Sequence, residues 1–214
     1  MESHAQSVED NLIGSLSFKL RPGASYITDR RSVTYFPVNG GSYGPNGVKV
    51  IKVMLNGSDS WLDPSTLKLF FNATNNTSSI HDTKLQPLVS GGWGFFRRMR
   101  VICARQILED ISDYNRLHQM FHMMKPSEAR MNDAIEGFGV SESLVTTLNN
   151  ADEASTLAKD EKQTICFTPL SGILMQDKFL PIRYCPLQFE FEIVGNANDA
   201  VQGSANVGDA KSQS

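Results

Sequence analysis

The residues best placed for chemistry are two imidazoles. His118-Gln-Met-Phe-His122 sets them at i and i+4, one face of a helix and the spacing of a helical zinc pair. The residue after the first of them is Gln119, which cannot act as a general base, and no third ligand is marked by spacing. The pair therefore reads as partly exposed and structural, and no metal or cofactor is assigned. Gly91-Gly-Trp-Gly94 places its glycines too close together for a phosphate cradle and opens no obvious helix, so it reads as a loop beside a packed Trp93. There is no P-loop, no G-x-G-x-x-G after a strand and no C-x-x-C. No pair of carboxylates is singled out as acid and base. The expectation is a protein that is not an enzyme, with no catalytic, cofactor-binding or metal-binding residues.

The concentrated charge feature is Arg97-Arg-Met-Arg100 with Arg105. On a strand, Arg98 and Arg100 share one face while Met99, Val101 and Cys103 share the other. Guanidinium forks can grip phosphate. They can equally pair with Glu109, Asp110 and Asp113 just downstream, or with a neighbouring subunit. The formal net charge is −3, from 20 basic and 23 acidic residues, which argues against a protein that coats polyanions generally. The aromatic interleaving of a single-strand binder is weak around the strip. Direct nucleic-acid binding through Arg97–Arg105 stays open as the lesser alternative. A carbohydrate- or ligand-binding module would need an exposed aromatic platform. The two tryptophans, Trp61 and Trp93, both sit beside apolar strand ends, where core or loop packing is expected.

The elements that would carry these residues are mostly strands. Leu16-Ser-Phe-Lys-Leu20 alternates apolar and polar residues, and Leu187-Gln-Phe-Glu-Phe-Glu-Ile193 does so more cleanly. Residues 32–38, 48–55, 66–72, 96–104 and 164–169 are rich in β-branched and aromatic residues and also read as strands. Asn39-Gly-Gly, Gly44-Pro-Asn-Gly47, Asn56-Gly, Asp63-Pro and Ser90-Gly-Gly supply the turns. The expected fold is all-β: an antiparallel, eight-stranded jelly-roll β-sandwich with one or two short helices in its loops. One helix is expected over 113–125. Its apolar stripe runs through Tyr114, Leu117, Met120, Phe121 and Met124, Ser112 or Asp113 caps it, and Pro126 ends it. A second short helix starts near Ser127. Residues 140–162 are polar and read as a long exposed excursion.

At 214 residues the chain is long enough to bury a core without a disulfide or metal staple. Hydrophobic residues make up 40% and charged residues 20%, which excludes wholesale disorder. Cys103, Cys166 and Cys185 are too few and too scattered for a disulfide framework, so they are expected to be reduced. Residues 1–11 are polar and lack the pattern of a signal peptide, and no apolar run reaches the ~20 residues that span a bilayer. Three organisational units follow: a flexible arm over 1–11, a jelly-roll domain over 12–194, and a tail or linker over 195–214. The last contains no aromatic residue, Leu, Ile or Met.

Several blocks in order carry a family resemblance. They are Phe95-Phe-Arg-Arg-Met-Arg-Val-Ile-Cys, Leu108-Glu-Asp-Ile-Ser-Asp-Tyr-Asn-Arg-Leu-His, Arg130-Met-Asn-Asp, Glu136-Gly-Phe-Gly, Trp61-Leu-Asp-Pro with Leu67-Lys-Leu-Phe-Phe, and the run from Gly172 to Glu192. Together they resemble the double jelly-roll major capsid proteins of polinton-like viruses, other eukaryotic double-stranded DNA viruses and virophages, over roughly residues 12–200. The resemblance implies a structural subunit that forms trimeric, pseudo-hexameric capsomers of an icosahedral shell. Its implied partners are other copies of the chain in a homotrimer, a second jelly roll in the same or a separate chain, and minor or penton capsid proteins. Its implied location is the virion, assembled inside the host cell and not secreted. Within it, Trp93, Phe95, Phe96, Arg97, Arg98, Arg100, Tyr114 and Phe121 are the candidate subunit-interface or packing residues.

Overall fold

The computed structural model describes residues 29–57, 60–76, 84–87, 91–131 and 157–204. The arm over 1–11, the strand expected at Leu16–Leu20, residues 140–156 of the expected excursion and the last ten residues lie outside this set, while Leu157 in that excursion is buried. The described chain is predominantly β, with antiparallel sheets, few short helices and the layering of an all-β sandwich.

Strands β1 (Val50–Leu55), β7 (Leu187–Ile193), β4 (Phe96–Cys103) and β5 (Gln106–Ile111) form a four-stranded antiparallel sheet in that spatial order. Strands β2 (Leu69–Thr74) and β6 (Lys162–Phe167) form a second antiparallel pair, and β3 (Lys84–Pro87) pairs with β8 (Val201–Ser204). The period-two pattern of the sequence explains which face of each strand is buried. In the four-stranded sheet, Ile51, Phe191, Met99 and Ile111 form one row across the inner face, and Val53, Phe189 and Val101 form the next. Met99, Val101, Phe189 and Phe191 are buried. Each such side chain contributes roughly 1.5–3 kcal/mol of burial.

The second sheet supplies the opposing layer. Phe71 on β2 meets Phe96 on β4 edge-on at 5.5 Å, and Phe96 lies 6.0 Å from Phe167 on β6 and 5.3 Å from Phe191 on β7. The pairing is nested. Leu55 opposes Leu187, Leu62 bridges to Leu180, and Leu69 opposes Phe167. The stretch from 50 to 74 thus runs antiparallel to the stretch from 192 back to 162, as one ribbon whose two arms cross from sheet to sheet.

In its strands, cysteines and tail the structure differs from the sequence reading. Residues 32–38 do not form a strand. Pro37 makes one bridge to Val53, and Val38 N donates to Lys52 O at 2.9 Å. Proline has no N–H to continue a ladder, and the Asn39 side chain takes over instead, donating to Val50 O and accepting from Lys52 N. Cys103 and Cys185 are not reduced: they form a disulfide across a Cα–Cα distance of 5.9 Å, while Cys166 is free. Within 195–214, a one-turn 3-10 helix at Ala197–Asp199 leads into β8, and Ala200 and Val201 are buried.

Candidate association surface

Helix α1 (Tyr114–Met123) follows β5 directly, and α2 (Ser127–Met131) follows Pro126. Asp113 stands at the N-cap of α1 without a side-chain bond. The helix forms where its periodicity placed it, but most of its apolar stripe is not the face it buries. Its buried residues are Tyr114, Asn115, His118 and His122. Of the expected stripe, Tyr114 is buried and Leu117 half-buried, while Met120 (47%), Phe121 (46%) and Met124 (70%) are exposed, as is Met123 (62%). The expectation that His118 and His122 are partly exposed is corrected: both are buried.

The reason lies in what the helix packs against. Gly91-Gly-Trp-Gly94 lies beside it, with Trp93 on a one-turn 3-10 helix, Gly92–Phe95, and only 1% exposed. Gly91 adopts φ +92°, and a Cβ there would fall 2.2 Å from the Trp93 ring. Only glycine meets both demands. The indole presents a flat aromatic face, and the His118 ring stacks on it at 4.3 Å and 12°. His122 lies against the same indole at 4.9 Å. Trp93 Nε1 donates to Gln119 Oε1 at 3.2 Å. The i, i+4 histidine spacing thus marks a packed aromatic face.

Tyr114 links His118 on this face to the backbone at Leu170. The Tyr114 hydroxyl accepts from Leu170 N at 2.9 Å, which leaves its proton for His118 Nδ1 at 3.2 Å. Burial pushes the Tyr114 phenol pKa up, against the Leu170 hydrogen bond, which lowers it. Burial also holds the His118 imidazole down at about 3, helped by the charges of Lys125 and His122. His118 is therefore neutral at pH 7, as its role of acceptor from Tyr114 requires. Among the described residues, no three His, Cys, Asp or Glu side chains converge to hold a metal ion.

The arginine strip lies on the outer face of the four-stranded sheet. The strand register lines up Lys52, Glu190, Arg100 and Asp110 from β1 to β5, alternating in sign. Glu190 is only 6% exposed beneath its neighbours. Lys52 reaches it at 3.1 Å and Arg100 at 2.6 Å. Arg98 grips Asp110 through two bonds of 2.8 and 2.6 Å. That fork holds the Asp110 carboxyl below the usual carboxylate range. Arg97, exposed beside a register shift in β4, lines a shallow cleft of about 280 Å³ with Arg98, Ser112 and Glu192.

The eight residues singled out from sequence thus separate by environment. Trp93, Phe96 and Tyr114 are core, and Phe95 is half-buried against it. Arg98 and Arg100 are tied to carboxylates within the sheet, while Arg97 and Phe121 face solvent. Met123 was missed, although it belongs to the exposed face of α1 together with Met120 and Met124. Trp61, expected in packing, is 57% exposed. Sequence reading also passed over Gly40-Gly-Ser-Tyr-Gly44, whose letters match a nucleophile elbow. Ser42 is exposed in an irregular loop, without the strand-turn-helix context that gives the pattern its meaning. No family model matches the chain, and no curated protein matches it significantly.

Proposed function

We propose that this chain is a shell-building subunit: an eight-stranded jelly roll that associates with copies of itself and with a second roll to make trimeric, pseudo-hexameric capsomers of a virus capsid. The exposed Met120–Phe121–Met123–Met124 face of α1 carries the association reading. A helix whose apolar stripe is turned away from its own core leaves surface that gains stability only when another molecule covers it. The nested ribbon, β1 with β7 and β2 with β6, supports the jelly-roll connectivity. The self-neutralising charge ladder on the outer sheet face supports a rigid wall over a polyanion-binding surface.

The test is sedimentation velocity at micromolar concentration, with negative-stain imaging, on the chain alone and co-expressed with a candidate second roll. Oligomers with three-fold particles are expected, and a monodisperse monomer in both preparations would overturn the reading. Exposed Trp61 favours a second reading, a carbohydrate- or ligand-binding sandwich. Saturable quenching of tryptophan fluorescence by oligosaccharides, abolished by Trp61→Ala, would establish it instead.

A further inference from the structure

The 214-residue chain has a core cluster that spans both sheets, so its size alone does not call for a covalent staple. Nevertheless it holds one, between Cys103 and Cys185. The bridge has a local job that the topology makes plain. Cys103 ends β4 and stands opposite Leu187, the first residue of β7. Cys185 lies two residues before that strand begins. The disulfide therefore pins the last turn of the irregular 168–186 segment to the end of the central sheet.

The remaining anchors of that segment are unevenly spread. Its first part is held by Tyr114 and by Glu109, which accepts from Gly172 N at 2.9 Å and from the Ser171 hydroxyl. Its middle is held by the paired backbone bonds between Leu62 and Leu180, each 2.8 Å. Beyond Leu180, the turn closes on itself: Tyr184 N and Cys185 N both donate to Pro181 O. Two of its attachments to the body are the Ile182 side chain, 4% exposed and packed over Gly57, and the disulfide. Tyr184, beside the disulfide, is 76% exposed, and the Arg183 guanidinium lies 5.6 Å from its ring.

We infer that the Cys103–Cys185 disulfide is a redox-sensitive latch that holds the 181–185 turn, with Ile182 and Tyr184, against the body of the domain. A dithiol opens it by exchange. One thiolate of the reductant attacks Cys185, the more accessible sulfur, and expels the Cys103 thiolate. The second thiol of the reductant then displaces Cys185 and closes the reductant into a cyclic disulfide. One protein S–S bond is broken, two protein thiols form after protonation, and the dithiol loses two electrons. With the latch open, the turn loses its covalent tie to β4 and lifts while both sheets stay formed. This inference does not depend on what the chain assembles with.

The experiment uses the full chain under native conditions, with and without dithiothreitol. Maleimide labelling after denaturation without reductant should count one thiol, Cys166, and after reduction three. Limited trypsin digestion, with the cuts assigned by mass spectrometry, should then show cleavage after Arg183 at least ten-fold faster in the reduced protein, with an unchanged far-UV circular dichroism spectrum. The double variant Cys103→Ser/Cys185→Ser should cleave at the reduced rate whether or not dithiothreitol is present. Three thiols before reduction would overturn the latch. So would equal cleavage rates with and without reductant, or a global loss of β signal on reduction, which would make the bridge a staple of the whole fold.

Discussion

Acidification should destabilise this protein through one residue, His118. Its imidazole titrates near 6.5 in an unfolded chain and is held at about 3 in the fold, chiefly by burial. The folded state thus prefers the neutral ring, and protons bind the unfolded state first. Stability from this group is fully present above pH 6.5 and is lost as pH falls from there toward 3. Between pH 7 and pH 5 the loss works out at about 2 kcal/mol. In that interval the result depends almost entirely on the unfolded pKa, because the folded ring stays neutral throughout. The Asp110 carboxyl, held low by Arg98, loses its contribution only below its own ordinary value near 3.8, outside this interval. The assay is urea unfolding of the wild type and His118→Gln at pH 7, 6 and 5. The gap between the two should narrow by about 2 kcal/mol on going to pH 5, since glutamine does not titrate. A constant gap would refute the reasoning. It would mean that the stacked Trp93 face stabilises an imidazolium by cation–π attraction as strongly as burial disfavours it.

Other substitutions test the same corner of the molecule. Gly91→Ala drives a Cβ into the Trp93 ring at a φ that alanine rarely adopts, and should cost about 2–4 kcal/mol in denaturant unfolding. Tyr114→Phe strips Leu170 N and His118 Nδ1 of their partner, and should cost about 1–3 kcal/mol with little change in the circular dichroism spectrum. Met120→Glu/Met124→Glu changes only exposed positions. It should leave the monomer's melting temperature within about 2 °C of wild type, because surface changes rarely exceed ~0.5 kcal/mol, while shifting sedimentation toward smaller species.

The sheet content was legible because the strands alternate strictly. Leu187–Ile193 could be read residue by residue, and Arg98 with Arg100 was placed correctly opposite Met99, Val101 and Cys103. The weak elements escaped for identifiable reasons. β5, Gln106–Ile111, is a sheet edge with exposed residues on both faces, so no burial alternation marks it. β3 and β8 are four residues each and owe their existence to one another. The ribbon from 50 to 74 against 192 to 162 is a long-range pairing that no local window contains. Helix α1 was legible, but the burial of its histidines was not. An apolar-residue count places Met and Phe inside and His outside, and that holds when a helix packs on aliphatic side chains. Here the surface beneath it is an indole, which accepts a flat, neutral imidazole. The two histidines at i and i+4 were the available signal, and they were weighed as metal ligands before they were weighed as packing.

The two edges of the four-stranded sheet are treated differently, and this bears on how copies could meet. Along β1, the Asn39 side chain and the Pro37 bridge occupy backbone groups that would otherwise invite another strand, a common way to guard an edge. On the opposite side, no strand pairs with the outer edge of β5 among the described residues, and Ile107 and Leu108 are 55% and 49% exposed. α1 follows β5 after two residues and carries the Met/Phe face. The stretch from 106 to 124 therefore concentrates both unpaired strand edge and uncovered apolar surface, while the chain closes off its other edge. Association that uses this stretch has a direction, which a closed ring of copies needs and a random aggregate does not. Hydrogen exchange can separate the two. In assembled material, amides of β5 should gain at least ten-fold protection over the monomer, while those of residues 50–55 stay unchanged. Equal gains at both edges would mean that copies meet without this polarity.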